Sequence, residues 1–301
     1  MENEIERINL DDYVQTGEGG TALTYTHKNG RRLAKLYNAG FEADWATEEF
    51  QNSRVAYQLG IPTPEPYRLV TDGVRCGAEY ELISNKRSFA RIISQEPERL
   101  EELSVVFARM ARELHARQAD TARMVSVKER VRQYYLEHDV APDSFKALAL
   151  QFIDQVPEAT TCLHSDLHVG NVITDGVRTL WIDLGKLAYG VPEWDLGMYF
   201  ATTNRIQAEM ADFLFHLKPE TLAAHWNVFF PAYLETTDPQ RVAAATKSLL
   251  PFMAVKVPIA YFAGLHKRMP EDRLQGLAKM LADTLAGGAG VCSVYKTVNG
   301  E

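Results

Sequence analysis

A dense run of polar residues stands between two short apolar segments in the middle of the chain. It reads HSDLHVGN from His164 to Asn171, and Asp183 follows twelve residues later within WIDLG. Carboxylates and amides beside apolar strands need compensation for their lost hydration. A polyphosphate with Mg²⁺ supplies it, since this ion takes oxygen ligands from few protein groups. Asn171 and Asp183 are therefore the candidate Mg²⁺ ligands, and Asp166 is the candidate base that accepts the proton of an attacking hydroxyl.

A zinc site is the alternative for the same run. His164, Asp166 and His168 stand at positions i, i+2 and i+4, and imidazole and carboxylate groups are zinc ligands. That interpretation leaves Asn171 and Asp183 without a role. We therefore favour the magnesium and phosphate interpretation.

The combination of HxDLHxGN with a later IDxG resembles the protein-kinase-like phosphotransferases, in particular the aminoglycoside phosphotransferase and choline kinase branch. Protein kinases usually carry HRD and DFG instead. The resemblance covers nearly the whole chain and implies an α+β, bilobal, protein-kinase-like fold, with a small β-rich lobe and a larger helical lobe. It also implies that His164 and His168 brace the catalytic loop. Ser165 departs from the pattern, because relatives commonly have glycine there. If this position needs a positive φ, serine is strained.

A glycine-rich stretch precedes the first strong strand pattern. It contains Gly17, Gly19 and Gly20, and it reaches Ala22 where the nucleotide-binding pattern has its third glycine. By resemblance, this loop binds the phosphates of a nucleotide, which makes the three glycines candidate nucleotide-binding residues. A plain hairpin turn explains the same glycines and stays open as the alternative.

Lys35 lies in RLAK, which resembles the VAIK strand whose lysine contacts the α- and β-phosphates. Alternation with Ala34 and Leu36 puts the Lys35 side chain on the opposite strand face from theirs. A solvent-exposed lysine is the alternative. The resemblance implies a glutamate partner in the following helix, where Glu48 and Glu49 both lie. We favour Glu49, whose distance from the Gly-Ile-Pro segment after the helix fits better.

Two further segments gain a role from the resemblance. Glu81 and Ile83 end the last predicted strand of the first lobe, where the family has the hinge whose backbone groups meet adenine. Both are therefore candidate nucleotide-binding residues. The segment PEWDL contains Asp195, which by resemblance supports the catalytic loop. A helix N-cap is the alternative role for Asp195.

The elements that position these residues follow from periodicity. Alternation over residues 23–37 around Asn29-Gly30 predicts a β-hairpin. A helix is predicted over residues 43–59, ended by Gly60, and two strands over 67–83. We predict that residues 1–84, with five strands and one helix, form the N-terminal nucleotide-binding lobe.

The rest of the chain, residues 85–301, is predicted to be the helical catalytic and acceptor-binding lobe. Leu103 to Leu114 carry one apolar stripe at helical spacing. Residues 161–184 interrupt the helices with a loop and a small hairpin. The other predicted helices cover residues 126–137, 143–155, 206–216, 219–234, 240–266 and 271–286.

Composition excludes several classes of protein. The chain has 301 residues, 46% of them hydrophobic, and a net charge of −8, which gives no general attraction to nucleic acid or anionic membranes. The acidic N-terminus lacks the apolar region of a signal peptide, and the three cysteines form no CxxC. The apolar run 249–265 contains Lys256 and predicts a buried helix rather than a membrane span. We expect a cytoplasmic protein without nucleic-acid or membrane partners.

Together these features predict an ATP- and Mg²⁺-dependent phosphotransferase that moves the γ-phosphoryl group to a hydroxyl of a small molecule. An aminoglycoside-, choline- or sugar-like acceptor fits, and the acidic charge suits a cationic one. A protein kinase is disfavoured, since no long activation segment with an APE motif follows Asp183. A non-catalytic nucleotide-binding regulator is disfavoured because all the catalytic residue types are present. Metal-dependent hydrolysis would need further ligands.

Overall fold

The computed structural model describes residues 5–19, 21–287 and 294. The strands of this described part are β1 (Glu6–Arg7), β2 (Tyr13–Glu18), β3 (Ala22–His27), β4 (Arg32–Tyr37), β5 (Pro66–Thr71), β6 (Cys76–Glu81), β7 (Arg87–Ser88), β8 (Val125–Ser126), β9 (Cys162–Leu163), β10 (Val172–Thr174), β11 (Thr179–Trp181) and β12 (Ala188–Tyr189). The helices are α1 (Ala43–Gln58), α2 (Phe89–Gln95), α3 (Leu100–His115), α4 (Val127–Glu137), α5 (Asp143–Gln155), α6 (Glu193–Asn204), α7 (Ala208–Phe215), α8 (Pro219–Tyr233), α9 (Pro239–Leu265) and α10 (Glu271–Gly287). This mixed α+β content, with strands first and helices later, confirms the predicted fold class.

The chain divides into two compact units. One contains Met1–Phe89 and Gly170–Leu187, and the other contains Ala90–Val169 and Ala188–Glu301. The segment that carries the candidate metal ligands therefore clusters with the β-rich unit, although it lies late in the sequence. The division into functional lobes at residue 84 stays a prediction.

A six-stranded sheet in the order β1-β5-β6-β4-β3-β2 forms most of the first unit. The predicted hairpin is confirmed: β3 and β4 pair antiparallel, and Gly30 has the positive φ of 70° that its tight turn requires. Strand β4 lies between β3 and β6, with Lys35 opposite Thr24 and Ala78. The prediction of five strands missed β1, which has two residues and pairs parallel to β5. A strand this short shows no alternation in the sequence.

Helix α1 packs on this sheet through Ala46 and Phe50, which contact Leu69 and Ala78. It begins at the predicted residue and ends one residue before the predicted end. Gly60 follows with a φ of 73°, a conformation that glycine adopts without strain and that commonly ends helices.

The predicted small hairpin is also present in the first unit. Strands β10 and β11 pair antiparallel, with Val172 opposite Trp181, and β7 adds a third strand along β10. Ile173 and Leu180 pack with Ile83 in a small buried cluster. This hairpin presents the residues just before β10 and just after β11 at one end.

The second unit contains the predicted helices around one large core, together with α6 and most of α2, two helices that the sequence analysis missed. Trp194 of α6 packs edge-on against Phe252 of α9, and Phe152 of α5 contacts the same Phe252 ring. A second aromatic cluster joins α3 and α8, where the rings of Phe107 and Phe229 lie 5.4 Å apart. These rings hold the helices that border the loop after β9.

Within the described residues, α9 alone has the length and hydropathy of a possible membrane span. A core helix of a globular protein passes the same test. Phe252, Ala254 and Val255 of α9 are fully buried in the core, whereas Leu265 at its end is 51% exposed. The predicted buried helix is therefore confirmed for the first part of the run 249–265 only.

Candidate active site

The centre of the candidate site in the first unit is an ion-pair cluster around Lys35. Its ammonium Nζ lies 2.7 Å from Glu49 Oε1 and also donates to Asp183 Oδ1. The Lys35 side chain is 19% exposed, that of Glu49 7% and that of Asp183 47%. Strand β4, helix α1 and the turn after β11 thus bring three charged residues together. Glu49, favoured over Glu48 by the sequence, is the glutamate that pairs with Lys35.

The charge of Lys35 is fixed by this cluster. Burial alone would lower the pKa of Lys35, but the carboxylates of Glu49 and Asp183 outweigh burial and raise it well above its ordinary value. Lys35 is therefore an ammonium at neutral pH, held at a defined position. The alternative of an unpaired, solvent-exposed lysine finds no support.

The two candidate metal ligands lie at the same end of the β10–β11 hairpin. Asn171 directly precedes β10, and its carbonyl accepts a hydrogen bond from Ile182 N at 3.0 Å. Asp183 follows Ile182 and adopts a left-handed conformation with a φ of 57°. Non-glycine residues seldom adopt it, and such strain is typical of functional positions. An amide oxygen and a carboxylate fit Mg²⁺, which takes hard oxygen ligands and keeps several waters.

Helix α1 contacts the turn after Asp183 directly. Asn52, three residues after Glu49 and on the same helix face, donates from Nδ2 to Gly185 O at 2.8 Å. A Cβ on Gly185 would lie 3.4 Å from Glu49 Cβ, which places this turn within van der Waals distance of the helix. The sequence analysis missed Asn52, although its i, i+3 spacing from Glu49 was a usable signal.

Tyr37 is a second residue that the sequence analysis missed. Its hydroxyl donates to Glu49 Oε2, so both oxygens of that carboxylate have a donor. Tyr37 follows Lys35 by two positions, and alternate residues of a strand lie on the same face. That spacing was the signal in the sequence.

The glycine-rich stretch forms the turn of the β2–β3 hairpin. Gly19 N donates to Ala22 O at 2.9 Å, and a Cβ on Gly17 would lie 2.5 Å from Thr24 Oγ1. A side chain at position 17 would therefore require the Thr24 hydroxyl to move. Gly20 lies outside the described residues. The geometry is that of the hairpin turn, and the nucleotide-binding role of the stretch stays a prediction.

The predicted hinge residues differ in their backbone environment. Glu81 N donates to Glu65 O at 2.8 Å, and Leu82 N donates to Arg31 O at 3.1 Å. The N–H of Glu81 is therefore already hydrogen-bonded within the first unit. A hydrogen-bond donor for a ligand would have to come from Ile83, the next predicted position.

The catalytic loop in the second unit is held by Asp195. This residue is 1% exposed, and its carboxylate accepts hydrogen bonds of 2.8 Å from His164 N and Ser165 N. The predicted support of the loop is confirmed. The N-cap alternative is wrong, since Pro192 is the N-cap and Asp195 lies inside α6. Ser165 has a φ of 64°, so this position does adopt the conformation that favours glycine.

Asp195 also contacts a buried network of side chains. Its Oδ2 lies 3.2 Å from His115 Nε2, and His115 Nδ1 lies 2.9 Å from the Tyr233 hydroxyl. Burial would raise the pKa of Asp195, but the hydrogen bond and charge of His115, with the charge of Lys256, lower it below the ordinary value. Asp195 is therefore a carboxylate at neutral pH, which strengthens its bonds to the loop backbone.

Asp166, the candidate base, is the exposed carboxylate of this loop. Its side chain is 46% exposed, and Oδ1 lies 3.9 Å from His168 Nε2. The His168 ring packs against the Phe215 ring at 5.1 Å. Among the described residues, no three His, Cys, Asp or Glu side chains converge on one point. The zinc alternative therefore has no support, and Asp166 retains an accessible carboxylate.

Solved structures of known proteins share this fold at low sequence identity. A choline/ethanolamine kinase family protein from Mesorhizobium loti is 15% identical, with a TM-score of 0.52, over 96% of this chain and 92% of that one. Choline kinase LicA from Streptococcus pneumoniae is 15% identical, with a TM-score of 0.50, over 91% and 95%. Aminoglycoside phosphotransferase APH(4)-Ia is 15% identical, with a TM-score of 0.58, over 93% and 94%.

Sequence comparison decides the family. No curated protein matches the sequence significantly. The model of the phosphotransferase enzyme family (APH), however, matches residues 14–225. This match spans both units, from the start of the β-sheet to α8, and includes the ion-pair cluster and the catalytic loop. It covers more than half of the chain, so the protein belongs to the phosphotransferase enzyme family, as its HxDLHxGN and IDxG motifs indicated.

Proposed function

We propose that this phosphotransferase moves the γ-phosphoryl group of ATP to a hydroxyl group of a small molecule, with Mg²⁺. The observation that carries the proposal is the cluster of Lys35, Glu49 and Asp183, with Asn171 at the same hairpin end as Asp183. A fixed ammonium beside two oxygen ligands is suited to a polyphosphate and its cation.

Each group in the first unit has a separate role in this proposal. Lys35 binds the phosphates through its ammonium, and Glu49 holds that ammonium in place. Asn171 and Asp183 hold Mg²⁺, which when bound neutralises charge on the phosphate oxygens. The N–H of Ile83 serves the adenine, because that of Glu81 is bonded to Glu65 O. These roles need positioning and charge rather than covalent chemistry.

Asp166 is the proposed base in the second unit. Its accessible carboxylate accepts the proton of the acceptor hydroxyl as the oxygen attacks phosphorus. The loop around it is fixed by the bonds from His164 N and Ser165 N to Asp195. Because the backbone is fixed, the carboxylate is presented without a reorganisation cost in each turnover.

The acceptor class is proposed from charge and from similar proteins. A thermostable mutant of APH(4)-Ia, 13% identical with a TM-score of 0.57, has been solved with ADP and hygromycin B. APH(2″)-IIa, 13% identical with a TM-score of 0.51, has been solved with streptomycin and ATP. The net charge of −8 suits a cationic hydroxyl compound. Aminoglycoside-, choline- and sugar-like compounds are therefore the first acceptors to test.

Nucleotide binding and turnover test this proposal together. MgATP at a hundredfold excess over its dissociation constant should stabilise the protein by about 2.7 kcal/mol. A panel of hydroxyl compounds should then include one that accelerates ADP formation. If MgATP gives no shift in melting temperature, the proposal is wrong. Tight MgATP binding without transfer to any acceptor would favour the non-catalytic regulator.

Asp166→Asn separates the chemical step from nucleotide binding. The substitution should lower the turnover number by about 10²- to 10⁴-fold, the usual contribution of a positioned base. The affinity for MgATP should stay within about twofold, because Asp166 acts on the acceptor. Calorimetry and a phosphoryl-transfer assay measure the two effects. Loss of MgATP binding in a folded variant would contradict the assignment of base and metal ligands.

A further inference from the structure

The carboxylate of Glu49 is held at both oxygens, by two different residues of β4. Oε1 lies 2.7 Å from Lys35 Nζ, and Oε2 accepts the hydroxyl hydrogen of Tyr37. The Glu49 side chain is almost buried. A buried carboxylate with one donor retains an unsatisfied oxygen and can rotate. The second donor therefore fixes the plane in which the carboxylate meets Lys35.

The ring of Tyr37 is itself held in place by three contacts. Lys35 Nζ lies 5.7 Å from the ring centroid, within the range of a cation–π contact. The rings of Phe41 and Trp45 lie 5.8 Å and 6.4 Å from it, and they pack edge-on against each other at 5.3 Å. The aromatic residues at the start of α1 thus orient the hydroxyl toward Glu49.

We propose that Tyr37 is a positioning residue that fixes the Glu49 carboxylate and, through it, the ammonium of Lys35. Tyr37 contacts both members of the ion pair, and its ring contact with Trp45 links them to the first turn of the helix that carries Glu49. This inference rests on the proposed function only where it concerns nucleotide binding, since the positioning of Lys35 can be measured without nucleotide.

The ionisation state of Tyr37 agrees with a donor role. Burial and the neighbouring Glu49 carboxylate raise the pKa of the Tyr37 hydroxyl above its ordinary value. The hydroxyl is therefore protonated throughout the neutral range. It supplies a hydrogen bond to Glu49 and does not compete with that residue for the charge of Lys35.

Tyr37→Phe removes the hydroxyl and keeps the ring with its aromatic contacts. The matched control is Tyr13→Phe in the same sheet, because the Tyr13 hydroxyl also donates to a buried carboxylate, Glu79. Glu79 pairs with Arg68 at 2.5 Å and does not contact Lys35. Both variants lose a hydrogen bond from a tyrosine hydroxyl to a buried carboxylate. Tyr37→Phe loses it at the Lys35–Glu49 ion pair, and Tyr13→Phe loses it elsewhere in the sheet.

The first measurement is the rate at which an amine-reactive ester acylates Lys35, read by peptide mass spectrometry. To meet the ester, the Lys35 side chain must leave its ion pair with Glu49, and a carboxylate held at both oxygens hinders that movement. Tyr37→Phe should raise the rate about three- to tenfold, the scale of one ordinary net hydrogen bond. Tyr13→Phe should leave it unchanged. An unchanged rate in folded Tyr37→Phe overturns the proposal.

The second measurement is the dissociation constant of MgATP in a double-variant cycle. Tyr37→Phe should weaken binding about three- to tenfold, but should add nothing in a Glu49→Gln background, because it acts through Glu49. If Tyr37→Phe weakens MgATP binding by the same factor in the Glu49→Gln background as in the wild type, the proposal is overturned. Faster acylation of Lys35 with unchanged MgATP affinity would uphold the positioning role of Tyr37. That result would instead contradict the proposed contact of Lys35 with nucleotide.

Discussion

Asp183 in the first unit and Asp195 in the second are both carboxylates beside candidate functional residues of their own unit, but they are held in opposite ways. The Asp183 side chain is half-exposed, and its carboxylate pairs with the ammonium of Lys35. The backbone of Asp183 adopts the left-handed conformation. Asp195 is buried and accepts hydrogen bonds from the backbone of His164 and Ser165. The partner of Asp183 is a side-chain charge that another cation can replace. The partners of Asp195 are backbone N–H groups that need a hydrogen-bond acceptor within the protein.

The difference separates a ligand-binding group from a structural one. A half-exposed ion pair contributes about 0–1 kcal/mol to stability, so Asp183 can exchange Lys35 for a metal ion at little cost. Removal of the buried Asp195 would leave two backbone N–H groups and His115 without their acceptor, and each buried unsatisfied group costs about 1–3 kcal/mol. Substitutions in the first region should therefore affect function, and substitutions in the second should affect folding.

The largest expected effect is that of Asp195→Ala on stability. The free energy of unfolding should fall by about 3–5 kcal/mol, as when one partner of a buried charged pair is removed. Urea denaturation followed by circular dichroism measures it. Asp195→Asn, which keeps one acceptor oxygen, should lose less. A variant with the stability of the wild type would show that Asp195 does not hold the catalytic loop.

Asp183→Asn should show the reverse pattern. Turnover should fall by at least about 10²- to 10³-fold, the scale for loss of one electrostatic contact to the transferring group, while the free energy of unfolding changes by less than about 1 kcal/mol. Asparagine tolerates the left-handed conformation of this position. Asp175→Asn, in the turn at the other end of the same hairpin, is the control and should keep its activity.

The two regions should also lose stabilisation at opposite ends of the pH range. The pKa of Asp195 is lowered in the fold because the hydrogen bond and charge of His115 outweigh burial. Its contribution is complete above about pH 4, the unfolded pKa, and is lost as the pH falls through the folded value. The pKa of Lys35 is raised, so its contribution is complete below about pH 10 and is lost only above that.

Urea titrations from pH 7 to pH 3 test the acid end. The stability difference between the wild type and Asp195→Asn should shrink as Asp195 in the wild type takes up its proton. The difference between the wild type and Lys35→Met should instead stay constant from pH 7 to pH 9, where Lys35 keeps its proton in the folded and the unfolded state and its carboxylate partners stay ionised. If the stability difference between the wild type and Asp195→Asn stays constant as the pH falls, the lowered pKa of Asp195 contributes nothing to folding.

Regular elements could be predicted from the sequence because their signals are local, as in the Asn29-Gly30 turn and the helix that ends before Gly60. The same holds for the hairpin that places Asn171 and Asp183 at one end, since twelve residues span two short strands and a turn. The Lys35–Glu49 pair was instead predicted from the resemblance to a known family, whose pattern contains both partners.

The missed contacts join segments far apart in the sequence or depend on geometry that composition does not encode. The bond from Asn52 to Gly185 O spans 133 positions, and no property of asparagine in a helix identifies its acceptor. Strands β1 and β7 have two residues each, too few for a period of two to be recognised. The alternation of β4 already accounts for Tyr37 as a strand residue, so the pattern gave no sign of the hydrogen bond from its hydroxyl to Glu49.

The smallest expected effect concerns the backbone strain at Ser165, which has a φ of 64° and donates its N–H to Asp195. Ser165→Gly and Ser165→Ala both remove the buried Oγ, for which the described residues provide no hydrogen-bond partner, so the difference between these variants reports the strain, less the greater unfolded-state entropy of glycine. The glycine variant should be more stable than the alanine variant by about 1 kcal/mol, since a Cβ is unfavourable in the left-handed conformation. Urea midpoints measure this difference. Equal stability of the two variants would mean that Asp195 holds the loop without strain. Lower turnover in the glycine variant would mean that Asp195 needs the stiffness of a side chain at position 165 to fix Asp166.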